Sequence, residues 1–282
     1  MRVACYNRAE MVEYIQTTRK RSTVADLIHI LFNILLASAV VALTIFFNTP
    51  WLAIALVLLS KWRVIAVRPR YWWANLLSSL PDLVMGLSVV LISWSASRSY
   101  NELVEGGNAS MVPFNVVWLQ CALAVLYAIW LIAIKPLRRE KWVLFQASAA
   151  QFMGLTALSM TSNTLPLLLV VLGSFVVGFA SARQMLGQYD EESRGLLASV
   201  WGLLVAILAY ACWHWNVQYP VVPQILSIPQ IAIIVTTISF VATRVYKAWA
   251  NDKKVTWAEL GAPTLFTAAL TLVILFCFGG LF

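Results

Sequence analysis

Few side chains in this sequence are equipped for chemistry, and the most telling of them sit inside long apolar runs. Asp82 lies within Leu80-Pro81-Asp82-Leu83-Val84-Met85. A charge in hydrocarbon is costly, so such residues face a bundle interior or a water-filled cavity and mark ion or solute paths. Pro81 sharpens the expectation. It lacks a backbone N–H, leaves the carbonyl of Leu77 without its helical partner, and predicts a kink beside Asp82. Asn75, Ser79, Asp82 and Gly86 follow at spacings of four, three and four, which sets them on one helical stripe.

Asp26, His29 and Asn33 form a second stripe, spaced three and four residues apart and so on one helix face. Gln151 stands ten residues past Lys141, much as Asp82 stands ten past Trp72. At about 1.5 Å per residue, Asn33, Asp82 and Gln151 reach similar depths if their helices run in parallel. The predicted substrate or ion path is therefore Asp82, Asn33, Gln151, His29, Asp26 and Asn75. A structural reading competes with it. Asn and Gln hydrogen-bond between membrane helices simply to hold them together, a protonated Asp82 would do the same, and Asp26 suits the first turn of a helix.

Other chemistries lack their residues. Two histidines at different depths do not make a bis-histidine haem site, and His214, between Trp213 and Trp215, reads as an interfacial side chain. Cys5, Cys121, Cys212 and Cys277 lie far apart, without metal or redox spacing. No P-loop, His-Glu-x-x-His, Gly-x-Ser-x-Gly or paired-aspartate motif is present. No catalytic residue, metal site or cofactor is expected. Ser174, Gly178 and Ala182 recur every fourth residue and predict close helix packing. Arg68-Pro69-Arg70 suits an anionic headgroup, although ordinary positive-inside bias explains it as well.

The elements that must position these residues follow from composition. The 282 residues are 61% hydrophobic and 11% charged, with a mean hydropathy of +0.80. A soluble domain is about a quarter charged, so the expected class is an all-α, polytopic membrane bundle. Apolar runs long enough to cross a core of about 30 Å fall near 23–47, 50–67, 72–95, 114–134, 142–161, 164–184, 196–216, 229–249 and 258–282. That predicts about nine transmembrane helices. Eight is the alternative count, because Lys61 and Arg63 intrude on the second run. The first run continues to Phe47, too long for a signal peptide's apolar region, so a retained helix is expected. Residues 1–22 read as a cytoplasmic segment, either an amphipathic helix around Tyr14 or a tail. Residues 23–282 read as one helical domain.

The net charge of +8 resides in short basic clusters between the runs, which argues for topology and against nucleic acid as a partner. With nine spans, every cluster falls on one side and Arg98 alone on the other. The N-terminus is then cytoplasmic, the C-terminus outside, and the plasma (inner) membrane the expected location. Tryptophans agree, with Trp62, Trp72, Trp73, Trp130, Trp142, Trp249 and Trp257 at inner ends and Trp51, Trp94, Trp118, Trp213 and Trp215 at outer ends. The outer segments 96–113 and 216–228 read as loops. The latter is uncharged and proline-containing, suited to the interface, a re-entrant path or a partner. The leading functional reading is a transporter or channel-like protein for a small polar solute or ion with a midplane site. The alternative is a non-catalytic scaffold subunit, and third a lipid-modifying enzyme. The lipid bilayer and a homo-oligomer or membrane-complex partner are the expected contacts.

Overall fold

The computed structural model describes residues 23–62, 71–105, 112–189, 191–214, 217–222, 225–252 and 257–277. Its helices are α1 (Thr23–Phe47), α2 (Trp51–Ser60), α3 (Trp72–Glu105), α4 (Val112–Ile129), α5 (Glu140–Met160), α6 (Leu167–Leu186), α7 (Arg194–His214), α8 (Gln230–Asp252) and α9 (Trp257–Cys277). A short hairpin, β1 (Gln218–Val222) with β2 (Leu226–Pro229), joins α7 to α8. The fold is all-α apart from this hairpin. Seven of the described helices, α1 and α3 to α8, are long and apolar enough to cross a membrane. In the region of the second predicted span, the described helix is the ten residues of α2. The N-terminal segment 1–22 and the Arg68–Arg70 headgroup site lie outside the described residues.

α3 organises the molecule. It carries Leu83, Met85, Val89, Val90 and Ile92 into one apolar core with α1, α2 and α4, and Val84 into a second with α5, α6, α7 and α8. Such doubly packed helices need apolar residues all round, and 61% of its most apolar stretch is buried, against 22% for α1. α3 runs unbroken through Pro81 to Glu105, about ten residues past its predicted end. Its 34 residues span about 51 Å at about 1.5 Å per residue. The segment 96–105, expected as loop, is therefore helix.

Close packing elsewhere relies on glycine. A methyl group on Gly178 would meet Val205 at 2.9 Å, and one on Gly202 would meet the Phe175 carbonyl at 2.8 Å. The small-residue stripe of α6 thus lets α6 and α7 of the same chain approach, with Ser174 buried beside it and Ala182 lining an apolar groove.

At one end of the bundle, Asn48 turns α1 into α2 with φ of 47°, a left-handed conformation asparagine tolerates. Trp94 Nε1 donates to the Asn48 carbonyl at 3.1 Å and fixes this turn beside α3. The hairpin lies at the same end. Ile225 packs with Ala96 and Val116, Tyr219 Oη donates to the Ile274 carbonyl at 3.4 Å, and Gln218 Nε2 donates to the Ser159 carbonyl at 3.5 Å. The loop predicted over 216–228 is therefore largely a two-stranded ladder that satisfies much of its own backbone. The opposite end carries Lys135, Arg138, Arg139, Lys141, Arg183, Arg194, Arg244 and Lys247, and is termed the basic end.

Candidate functional site

Asp82 has partners that its sequence neighbourhood does not reveal. Its carboxylate accepts from Lys135 Nζ at 2.6 Å and from Lys61 Nζ at 3.4 Å. Three separate elements deliver these groups. Lys61 ends α2, where its own N–H closes on the carbonyls of Leu58 and Leu59, and it is 5% exposed. Lys135 follows a π turn over Trp130–Ile134, its N–H reaching the Trp130 carbonyl at 2.8 Å. Such widened turns are uncommon and concentrate at functional sites. Asp82 itself sits on the eleventh residue of α3, between the tryptophan pair Trp72–Trp73 and Trp94. At about 1.5 Å per residue, the two levels are about 15 Å and 18 Å away.

One turn further along α3, Gly86 lets the helix close on its neighbours. A methyl group there would meet Tyr127 Oη at 2.7 Å and Val57 Cγ1 at 2.8 Å. α2 and α4 can thus come near enough for both lysines to reach one carboxylate. Two cations on one anion is an unequal arrangement. Burial alone would lower Lys135, but the Asp82 carboxylate outweighs it and holds the ammonium group above its ordinary range. Lys135 therefore stays charged.

The cluster opens into a cavity of about 270 Å³ at the basic end. α3 contributes Leu77, Ser78, Pro81 and Asp82, and α5 contributes Val143 and Gln146. The wall is completed by Lys135, Arg183, Gln184, Gly187, Gln188 and Arg194. Gln184 Nε2 donates to Gln146 Oε1 at 3.0 Å, and Gln146 Nε2 donates to the Ile134 and Leu137 carbonyls at 2.6 and 3.0 Å. Arg194 Nε donates to the Arg183 carbonyl at 2.9 Å, tying the end of α6 to the start of α7. Gly187 leaves the space its guanidinium fills, since a methyl group there would meet Arg194 Cζ at 2.8 Å. Arg183 Nε and Gln184 Oε1 are buried without a hydrogen-bond partner among the described residues.

The predicted path does not assemble as one site. Asn33 and His29 contact each other at 3.1 Å, on the exposed first half of α1, and Asp26 is exposed one turn earlier. Gln151 is fully buried elsewhere, accepting from Ser181 Oγ at 2.5 Å and Trp201 Nε1 at 3.2 Å while donating to the Val235 carbonyl at 3.3 Å. It joins α5, α6, α7 and α8, and it is not among the residues lining the Asp82 cavity. Asn75 is half-buried on α3, and Ser78 Oγ donates to its carbonyl at 2.8 Å. Of the predicted residues, the cavity is lined by Asp82 and Pro81.

The residues that sequence reasoning missed are Lys61, Lys135, Gln146, Arg183, Gln184 and Arg194. Their cations were explained adequately by topology, which left no reason to assign them a second task. Gln146 was the available signal, a second glutamine in the same apolar run as Gln151.

A further polar group clasps the basic end. Lys247 Nζ donates to Glu140 Oε1 at 2.6 Å, Tyr189 Oη donates to the same oxygen at 3.3 Å, and Tyr246 Oη donates to Glu191 Oε2. Burial, followed by the Glu140 charge, pushes the Tyr189 phenol up to about 12. It therefore remains a neutral donor. The described residues hold no group of three or more His, Cys, Asp or Glu side chains placed to hold a metal. Comparison with family models, with curated proteins and with solved structures finds no match to this chain.

Proposed function

We propose that the chain is an integral membrane protein of about nine spans that binds a small polar solute in the Asp82 cavity as a transporter or channel-like protein. The observation that carries this reading is the cavity itself: Asp82, Lys135, Arg183 and Arg194, from four segments, converge on open space, with Lys61 paired to Asp82 behind it. Structural ion pairs close on themselves, whereas ionisable residues in membrane helices that line a cavity mark a path. The basic end is cytoplasmic by the positive-inside rule, so the solute enters from that side. Seven of the described helices are long and apolar enough to cross; the other two spans of this proposal rest on the apolar runs 50–67 and 258–282.

Accessibility is the test. With the native cysteines replaced, Ser78→Cys on the cavity wall is expected to react with a membrane-impermeant thiol reagent added from the cytoplasmic face. Gln151→Cys, in the dry contact between helices, is expected to stay protected. Protection of position 78 from both faces in folded protein would sink the solute-site reading and leave Asp82 as an internal strut.

A further inference from the structure

We infer that the solute is a small oxyanion of the phosphate class, held by Lys135, Arg183 and Arg194 in competition with Asp82; this rests on the solute-site reading above. Among the described residues, the lining side chains include three cations and a single carboxylate, Asp82. Behind that carboxylate stands a fourth cation, Lys61. Asp82 can neutralise one of them, so the cavity keeps an excess of positive charge that would repel a metal cation or an amine. In a partly desolvated space such an excess is expensive to leave uncompensated, and an anion supplies the compensation.

The donors fit that chemistry. Two guanidinium groups offer planar N–H forks suited to oxyanions, and Arg183 Nε is already buried with nothing to donate to among the described residues. The Gln146 and Gln184 amides brace the wall through Ile134, Leu137 and each other, which holds the cationic groups apart. Gln184 Oε1 is a buried acceptor without a partner among the described residues. A hydrogen phosphate carries both acceptor oxygens and an O–H donor, so it satisfies the arginines and this amide oxygen together. Sulfate has no proton to give at neutral pH.

The geometry favours a free anion over a lipid headgroup. On α6 and the turn after it the cavity uses Arg183, Gln184, Gly187 and Gln188, whereas the apolar groove beside Tyr189 uses Ala182, Met185 and Leu186. The two hollows lie on different faces of the helix, so an acyl chain in the groove would not bring its headgroup into the cavity.

The experiment uses the full chain carrying Ser78→Cys, reconstituted in phosphatidylcholine vesicles and labelled from the basic side. Inorganic phosphate is expected to slow labelling, sulfate to slow it less, and chloride at equal ionic strength to leave it unchanged. Arg183→Gln and Lys135→Gln are each expected to weaken phosphate protection about tenfold or more, with labelling in the absence of phosphate preserved in protein shown to be folded. If one variant fails to fold, the other carries the comparison. Labelling that phosphate leaves untouched overturns the anion inference alone. Absence of labelling in folded protein overturns the site reading beneath it. Protection that arises only when phosphatidylglycerol replaces part of the lipid, and not from free phosphate, overturns the free-anion assignment in favour of a headgroup.

Discussion

Two polar regions lie on α3, roughly 16 Å apart along its axis at about 1.5 Å per residue, and they have been built to opposite ends. Toward the hairpin, Thr44 and Ser93 share a hydrogen bond of 2.6 Å, and Gln120 Nε2 donates to Ser97 Oγ at 2.6 Å and to the Ser93 carbonyl at 3.2 Å. All four side chains are neutral and buried. They are hydrogen-bonded to one another. Around Asp82, in contrast, the described lining residues carry three basic side chains against one acid. The difference is a rule for reading polar residues in apolar helices. A polar side chain whose partners are all supplied by neighbouring helices holds the structure together, and one whose partners fall short in number or sign is waiting for something else.

The sharpest way to break this contrast is Asp82→Asn. It leaves Lys61, 5% exposed, without its carboxylate, and stranding a buried charge costs about 3–5 kcal/mol. Thermal unfolding in detergent is expected to show a large loss, mostly recovered by adding Lys61→Met. Equal damage from Lys61→Met alone would mean that the second lysine is a required strut. Gly86→Val comes next, since its side chain has no room against Val57 and Tyr127; overpacking of this kind costs about 1–3 kcal/mol. It should also open the Asp82 cluster, read as faster labelling of Ser78→Cys. At the neutral region the effects shrink. Thr44→Val with Ser93→Ala removes one interhelical hydrogen bond, worth about 0.6 kcal/mol, and should leave labelling at position 78 unchanged. Altered labelling would show that the two regions are coupled through α3. Smallest is Glu140→Gln, whose pair with Lys247 is largely exposed; a loss under about 1 kcal/mol, fading in high salt, is expected.

Alkaline titration separates the regions in another way. Lys135 is held above the ordinary lysine value of 10.5. Its raised value means that its contribution to stability is complete below that point and disappears as pH rises through the folded value. Stability attributable to Lys135, measured against Lys135→Gln, should therefore be flat through neutral pH and fall only in strong alkali. The neutral region should contribute no such step.

Much of the architecture could be read from hydropathy, since each described helix overlaps an apolar run and Asp82 stood out within one. Position along a helix could be counted from the sequence, but neighbourhood could not. Asn33, Asp82 and Gln151 were grouped because their depths matched, yet Gln151 turns toward Ser181 and Trp201 while Asp82 turns toward Lys61 and Lys135. Which helix lies beside which is set by packing, for instance by Gly178 against Val205 and Gly86 against Val57, and no single-helix periodicity encodes it. The hairpin stayed hidden because Pro220 and Pro229 speak against strand. Both stand on a two-stranded ladder, where each strand has a free edge and a missing N–H is tolerated.

The shortness of α2 has a bearing on how the chain is put together. Its described helix is about half the length a bilayer needs and ends on a lysine. On its own it is a poor substrate for insertion. Lys61 is synthesised 21 residues before the aspartate it contacts, so the ribosome releases a cation whose counter-ion does not yet exist. The segment can settle only when α3 arrives to neutralise it, which makes Asp82 a checkpoint of assembly as well as a wall of the cavity. A chain that loses this carboxylate should therefore be recognised as unfinished by the cell's membrane quality control, read as a lower steady-state level of the Asp82→Asn protein.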